Sequence, residues 1–220
     1  MSEVLIFDIG ANCGHVTKRF IDVGCKVVAV EPLKDVSEEI RKFATENQVT
    51  IINKLVHVSS EPQEFFMSNN DSVISTTSKD WMNHGRFSQT GDWVSVGNIE
   101  SISLDEMVET YGTPHFIKID VEGSEYQTLL SLTEKVNSIL SIEWVEEFPE
   151  KTIQCVNYLK SLGYTHYGLD SCYGHNCKEV EDIVLKNRIE YKDINNFEED
   201  FRNNLQGPNG ESGWGDVYIR

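Results

Sequence analysis

Seven charged side chains stand where strand-like segments stop. Asp8 follows the apolar run VLIF and Glu31 follows KVVAV; Lys118, Asp120, Glu122 and Glu125 crowd into KIDVEGSE; Glu143 comes near the end of the segment Val136 to Trp144. A strand covered on both faces is nearly continuously apolar. Lys118 and Asp120 inside such a strand carry a desolvation cost, which points to pairing, ligand binding or catalysis. The plainer alternative is a structural ion pair. Asp120, Glu122 and Glu143 together have the oxygen chemistry either to take a proton or to hold a hard divalent cation such as Mg²⁺ or Mn²⁺, although no ligand spacing here is diagnostic of a metal.

The element that must position the first two acids runs from Val4 to Pro32. An apolar run ending in Asp8, a turn around Gly10 and Gly14, an amphipathic helix from about His15 and a second apolar run ending in Glu31 and Pro32 make one β-α-β unit. Open α/β sheets bind ligands at the carboxyl ends of their strands. The helix is expected to bury Val16, Phe20 and Val23. A dinucleotide fold would place a pyrophosphate at its amino end with GxGxxG; here the turn reads G-A-N-C-G, with Asn12 in the place of the second glycine. Asn12 is equally an ordinary turn residue. Glu31, about 20 residues past the turn, suits the hydroxyls of a ribose. With Asp8 facing the same gap, two carboxylates repel a phosphate and favour a ligand with a ribose and a cationic amino group. S-adenosylmethionine is such a ligand.

FDIGANCGHVT followed by VVAVEP resembles the opening of the FkbM-like S-adenosylmethionine-dependent methyltransferases, and SLDEMVETYGTPHFIKIDVEGSEYQTLL (Ser103 to Leu130) resembles that family's other signature block, in the expected order. The resemblance implies a Rossmann-like class I methyltransferase fold, α/β, with a mostly parallel seven-stranded sheet and helices on both faces. It implies methyl transfer to an oxygen, often a sugar or glycan hydroxyl. It also places the end of the third strand, Val56, His57, Val58 and Ser59, beside the adenine. The expected cofactor contacts are then Asp8, Gly10, Asn12, Gly14, Glu31, Pro32 and Val58. In-line attack by a hydroxyl oxygen needs a held acceptor and a general base: Asp120 or Glu122 as base, Glu143 positioning the acceptor, Lys118 tuning the carboxylates. A nucleoside-binding protein without turnover, acting as a partner in glycan assembly, is the alternative. The G-A-N-C-G turn opposes a nicotinamide-dependent dehydrogenase.

Composition narrows the partners. The chain has 220 residues, enough for one α/β domain spanning 1–220. Its 36 acidic against 19 basic residues, a net charge of −17, argue against nucleic acid. Anionic membrane surfaces are disfavoured likewise. No apolar run reaches membrane-spanning length, the amino terminus lacks a signal-peptide pattern, and five cysteines without a paired framework fit a reducing compartment. These features read as cytoplasmic. Cys172, His175 and Cys177 lack ordinary zinc spacing.

The remaining segments are expected as follows. Asp35 and Glu38 form a capping box for a helix burying Val36, Ile40, Phe43 and Ala44. Val49 to Val58 is the third strand. Residues 68–101 form an irregular acceptor-side insertion, apart from a short strand at Phe65 to Met67 just before it. In this insertion Trp81, Phe87 and Trp93 either stack on a sugar ring or anchor a loop, and His84 and Arg86 are its polar candidates. Ser103 and Glu106 cap a helix from Leu104 to about Tyr111, stopped by Gly112 and Pro114. His115 to Val121 is the fourth strand, and Glu125 is either catalytic or a capping carboxylate. Then come the strand Val136 to Trp144, a helix Glu150 to Leu162, strands Tyr164 to Leu169 and Asp216 to Arg220, and a charged stretch between these strands. Trp144, Tyr173 and Trp214 are equally core or acceptor-site floor.

Overall fold

The computed structural model describes residues 4–172, 189–206 and 213–220. Its first third is the expected unit: β1 (Leu5–Ile9), α1 (His15–Asp22), β2 (Lys26–Val30), α2 (Lys34–Ser37) and β3 (Val49–Ile52). The buried face of α1 is Thr17, Phe20 and Ile21, whereas Val23 lies past the helix and is 55% exposed. The face is rotated by one residue because the Thr17 hydroxyl donates to buried Asp8. No side chain caps α2, and Asp35 sits in its first turn with Glu38 at its end. The chain turns earlier than the Asp35–Glu38 pair would dictate, because Glu31 accepts the Leu33 N–H and Leu33 C=O accepts from Val36 and Ser37. Of the expected face only Ile40 is fully buried; Phe43 and Ala44 pack partly against it.

The third strand stops at Ile52. Asn53 turns its amide onto the Glu31 carbonyl and the Ser37 hydroxyl, and β4 (Leu55–Val56) leaves the main sheet to pair with β7 (Ser101–Ile102). The insertion is more regular than expected. β5 (Gln63–Ser68) and β6 (Trp93–Ile99) form an antiparallel ribbon, with α3 (Lys79–His84) between them. Its aromatics are anchors. Trp81 is 2% exposed between Phe87 and Phe148, and the Trp93 indole donates to the Ile74 carbonyl. Burial of that kind is worth about 2–3 kcal/mol per large side chain.

The second half completes the sheet with α4 (Leu104–Tyr111), β8 (Phe116–Ile119), α5 (Glu125–Leu129), β9 (Ile139–Val145), α6 (Pro149–Ser161), β10 (His166–Cys172), β11 (Lys192–Asp193), α7 (Phe197–Asn203) and β12 (Trp214–Ile219). The capping box of α4 is present, with Ser103 and Glu106 satisfying each other's backbone N–H groups. The strand order is β3-β2-β1-β8-β9-β12-β10-β11. Strands β3, β2, β1, β8 and β9 are parallel, and β12 inserts antiparallel between β9 and β10. That is the expected α/β sheet with one strand more, the two-residue β11 at its edge. The chain runs outward from β1 to β2 and later returns to β8 on the other side of β1, which opens a crevice at their carboxyl ends.

One core cluster packs on each face of the sheet, with Phe7, Ile117, Ile119 and Ile142 in one and Ile6, Phe20, Phe116 and Tyr218 in the other. Trp144 is core, 1% exposed, its indole donating to the Asp170 carbonyl and its ring edge-on to Phe201. Tyr173, His175 and Cys177 lie outside the described residues. Among the described residues no helix is long and apolar enough to cross a membrane.

Candidate active site

The crevice is an open cleft of about 600 Å³ whose wall includes Gly10, Asn12, Glu31, Pro32, Val56, Asp120 and Glu122. Gly10 is required at the strand-to-turn corner. Its φ is +80°, and a Cβ there would stand 1.8 Å from the Asp120 carbonyl oxygen. Asn12 also has positive φ, 49°, and donates its N–H to Glu31 Oε2 at 3.1 Å; Leu33 N–H donates to Oε1 at 2.8 Å. Glu31 is thus held by both oxygens at the end of β2. Burial pushes its pKa up to about 7, against these two backbone donors.

Three expected contacts are not on the cleft wall. Asp8 is wholly buried and not part of the cleft wall. It accepts from the Thr17 hydroxyl at 2.5 Å and lies 3.9 Å from the Lys118 ammonium. Burial raises its pKa, against Lys118 and Thr17. The pairing Asp8↔Lys118 explains this position, because lateral neighbours in a sheet share a face and here that face is covered by α1. Val58 is 46% exposed and outside the wall, since the break at Asn53 carries the chain away. Gly14 is also outside it. Its φ of +87° starts α1, and a Cβ would meet Ile40 at 2.6 Å.

The carboxylates after β8 do converge. Lys118 Nζ is 2.9 Å from Asp120 Oδ2. Burial would depress the lysine, but Asp120 and Asp8 outweigh it and hold the ammonium above the ordinary value. Glu122 follows with φ +54° and is 9% exposed. One carboxylate oxygen each of Asp120, Glu122 and Glu143 lie within 4.8 Å of one another. Burial, then the neighbouring carboxylates, Asp120 first, raise Glu122 and Glu143 well above the ordinary glutamate value. Glu125 does not cap α5, whose N-cap is Ser124; its Oε1 accepts from Val121 and Gly123 N–H, both at 3.1 Å, and fixes the turn that presents Glu122. His84 is exposed at the end of α3, and Arg86 forms a two-pronged pair with Glu147, 3.0 and 2.8 Å. Neither lines the cleft.

Two groups escaped the sequence reading. Asp216 of β12 pairs in register with Glu143, accepts from the Ser141 hydroxyl at 2.6 Å and is pushed by burial up to about 6. The signal was present, a lone acid in the last strand, of the kind that marked Asp120. Ser72, Val73, Ser75 and Thr77 from the insertion wall the cleft, and Ser72 accepts from the Asn12 amide at 3.3 Å. The insertion therefore walls the cleft on the side of Asn12.

The methyltransferase FkbM domain model matches residues 8–165. The chain belongs to this family. It is an S-adenosylmethionine-dependent methyltransferase, and the strand order and the position of the cleft agree with that class. No curated protein sequence matches it significantly. Among solved structures, a precorrin-6y C5,15-methyltransferase from Geobacter metallireducens is 10% identical, with 99% of this chain and 80% of that one covered and a TM-score of 0.45. TYW2 from P. horikoshii, solved with MeSAdo, is 13% identical over 99% of this chain and 57% of that one, TM-score 0.43. A SAM-dependent methyltransferase from Archaeoglobus fulgidus is 11% identical over 100% and 87%, TM-score 0.40.

Proposed function

We propose that this FkbM methyltransferase transfers the methyl group to a hydroxyl oxygen of a sugar or glycan, within a single domain spanning 1–220. The observation that carries the reading is Glu122: a nearly buried carboxylate on the cleft wall, with its pKa raised well above the ordinary glutamate value by burial and then by Asp120, which makes it a stronger base than an exposed carboxylate. An alcohol becomes a competent nucleophile as its proton leaves, and a base with pKa near the working pH is the efficient acceptor of that proton. Asp120 is less suited, because Lys118 already occupies its Oδ2. Glu122 takes the hydroxyl proton; Glu143, close to it, accepts a hydrogen bond from a neighbouring hydroxyl and fixes the acceptor.

The cofactor, when bound, supplies an electrophilic methyl on a sulfonium. Gly10, Asn12, Glu31, Pro32 and Val56 suit its nucleoside, with Glu31 accepting from the ribose hydroxyls. The Asp8–Lys118–Asp120 chain then holds Asp120 at the cleft through the Lys118 ammonium. The composition and the cysteine usage favour the cytoplasm.

The test is transfer of a labelled methyl group to a panel of sugars and glycans by the wild-type chain and by Glu122→Gln. Label on an acceptor hydroxyl, reduced on the order of 10²-fold or more in the variant, supports the reading. Label on nitrogen or carbon overturns it. Tight binding of the demethylated cofactor with no transfer to any acceptor favours a non-catalytic nucleoside-binding role.

A further inference from the structure

The acids at the end of β8 and β9 outnumber the cations that serve them. Among the described residues Lys118 is the single ammonium beside Asp8, Asp120, Glu122, Glu143 and Asp216, and it is committed to Asp120 at 2.9 Å and Asp8 at 3.9 Å. Asp8 is further served by Thr17, Asp216 by Ser141, and Glu125 by two backbone N–H groups. Glu122 is different. It is 91% buried, yet among the described residues its carboxylate accepts no hydrogen bond and makes no ion pair, and it is directed at the oxygens of Asp120 and Glu143. A buried carboxylate without a partner is costly and rare.

We infer that Asp120, Glu122 and Glu143 bind one hard divalent cation of the Mg²⁺ or Mn²⁺ class. Three oxygens within 4.8 Å of one another span the distance across a coordination sphere with metal–oxygen bonds of about 2.1–2.4 Å. All three donors are carboxylates, the chemistry that selects Mg²⁺, Mn²⁺ or Ca²⁺ over softer metals. The position is also apt. Asp120 and Glu122 line the crevice, whereas Glu143 lines a neighbouring cavity with Trp81, Phe148 and Cys155, so the three donors stand between the two. There the cation neutralises the excess charge and offers its open positions to two acceptor oxygens, which extends the hydroxyl-transfer reading without being needed for cofactor binding.

The test uses the full chain, stripped with a chelator and titrated with Mn²⁺ alone while the electron paramagnetic resonance signal of free Mn²⁺ is followed. The expected result is loss of one equivalent of free signal, with affinity reduced at least about tenfold in Glu122→Gln and in Glu143→Gln and unchanged in the surface variant Glu109→Gln. Thermal melts of each variant show that it is folded; if Glu143→Gln is not, Glu122→Gln decides alone. No binding at millimolar Mn²⁺, or binding that survives Glu122→Gln at full strength, overturns the inference. Binding of S-adenosylhomocysteine and labelled methyl transfer, measured in parallel, separate the two readings: transfer without Mn²⁺ binding removes the metal and leaves the methyltransferase chemistry standing.

Discussion

The two ends of the cleft are built on opposite principles. Around the end of β2 the polar groups are satisfied from within: Glu31 receives two backbone N–H groups, Asn12 donates to Glu31 and to Ser72, and Asn53 closes the turn behind them. At the ends of β8 and β9 they are not. Asp120, Glu122 and Glu143 crowd together with one lysine between them, and burial holds two of the three protonatable well above their ordinary range. The first end is shaped before any ligand arrives, as rigid nucleoside recognition requires. The second keeps unspent charge, the trade of stability for activity that the proposed base would require.

The largest effect should come from breaking the join between the two ends. Gly10→Ala puts a Cβ 1.8 Å from the Asp120 carbonyl in a left-handed conformation. The clash and the φ penalty together should cost about 3 kcal/mol or more. Thermal unfolding should show a fall of many degrees, and binding of S-adenosylhomocysteine should be lost with it.

Glu122→Gln should separate activity from stability. Turnover is expected to fall by about 10²–10⁴-fold, while the melting temperature at pH 8 stays level or rises, because an ionised carboxylate crowded by Asp120 and Glu125 is replaced by a neutral amide. A variant that loses stability and activity in proportion would show that Glu122 is structural.

How much of this was legible in the sequence follows the same division. The turn of Gly10 and Gly14, the Ser103–Glu106 box and the turn fixed by Glu125 are local, each made by residues within a few positions of one another. Asp120, Glu122 and Glu143 were legible because a charge in an apolar strand must have a reason. What sequence hid was long-range. Asp8 turns away from the cleft because Thr17 and Lys118 claim it. Val58 is lost to the break at Asn53, and Asp216 reaches Glu143 only because the last strand inserts beside β9. Ser72 meets Asn12 across sixty positions of chain.

The pH response should differ between the ends. Glu31 has a folded pKa of about 7 against an ordinary 4.5, so the folded state holds its proton more firmly than the unfolded one. Its contribution to stability is full below about pH 4.5 and is lost as pH rises through about 7. Asp216, raised to about 6, acts in the same direction. The unliganded protein should therefore melt higher near pH 5 than near pH 8. Nucleoside affinity should run the other way, weakening up to about tenfold per unit below pH 7 as Glu31 becomes neutral and loses its charge-assisted acceptance of the ribose hydroxyls. Calorimetry across pH 5.5–8.5 checks both slopes, and Glu31→Gln should flatten the second.

The smallest effect tests whether the insertion belongs to the preformed end. Ser72→Ala removes the 3.3 Å contact from the Asn12 amide, in a segment that walls the cleft but is otherwise tied back through its own ribbon. One partly exposed hydrogen bond of that length is worth about 0.5–1 kcal/mol, or about two- to fivefold in an equilibrium. If the bond serves the bound nucleoside, the loss should appear as faster release of S-adenosylhomocysteine in stopped-flow measurements, with association nearly unchanged, since short-range contacts act chiefly on dissociation. An unchanged release rate would make the insertion a bystander at the nucleoside end and assign it to the acceptor alone.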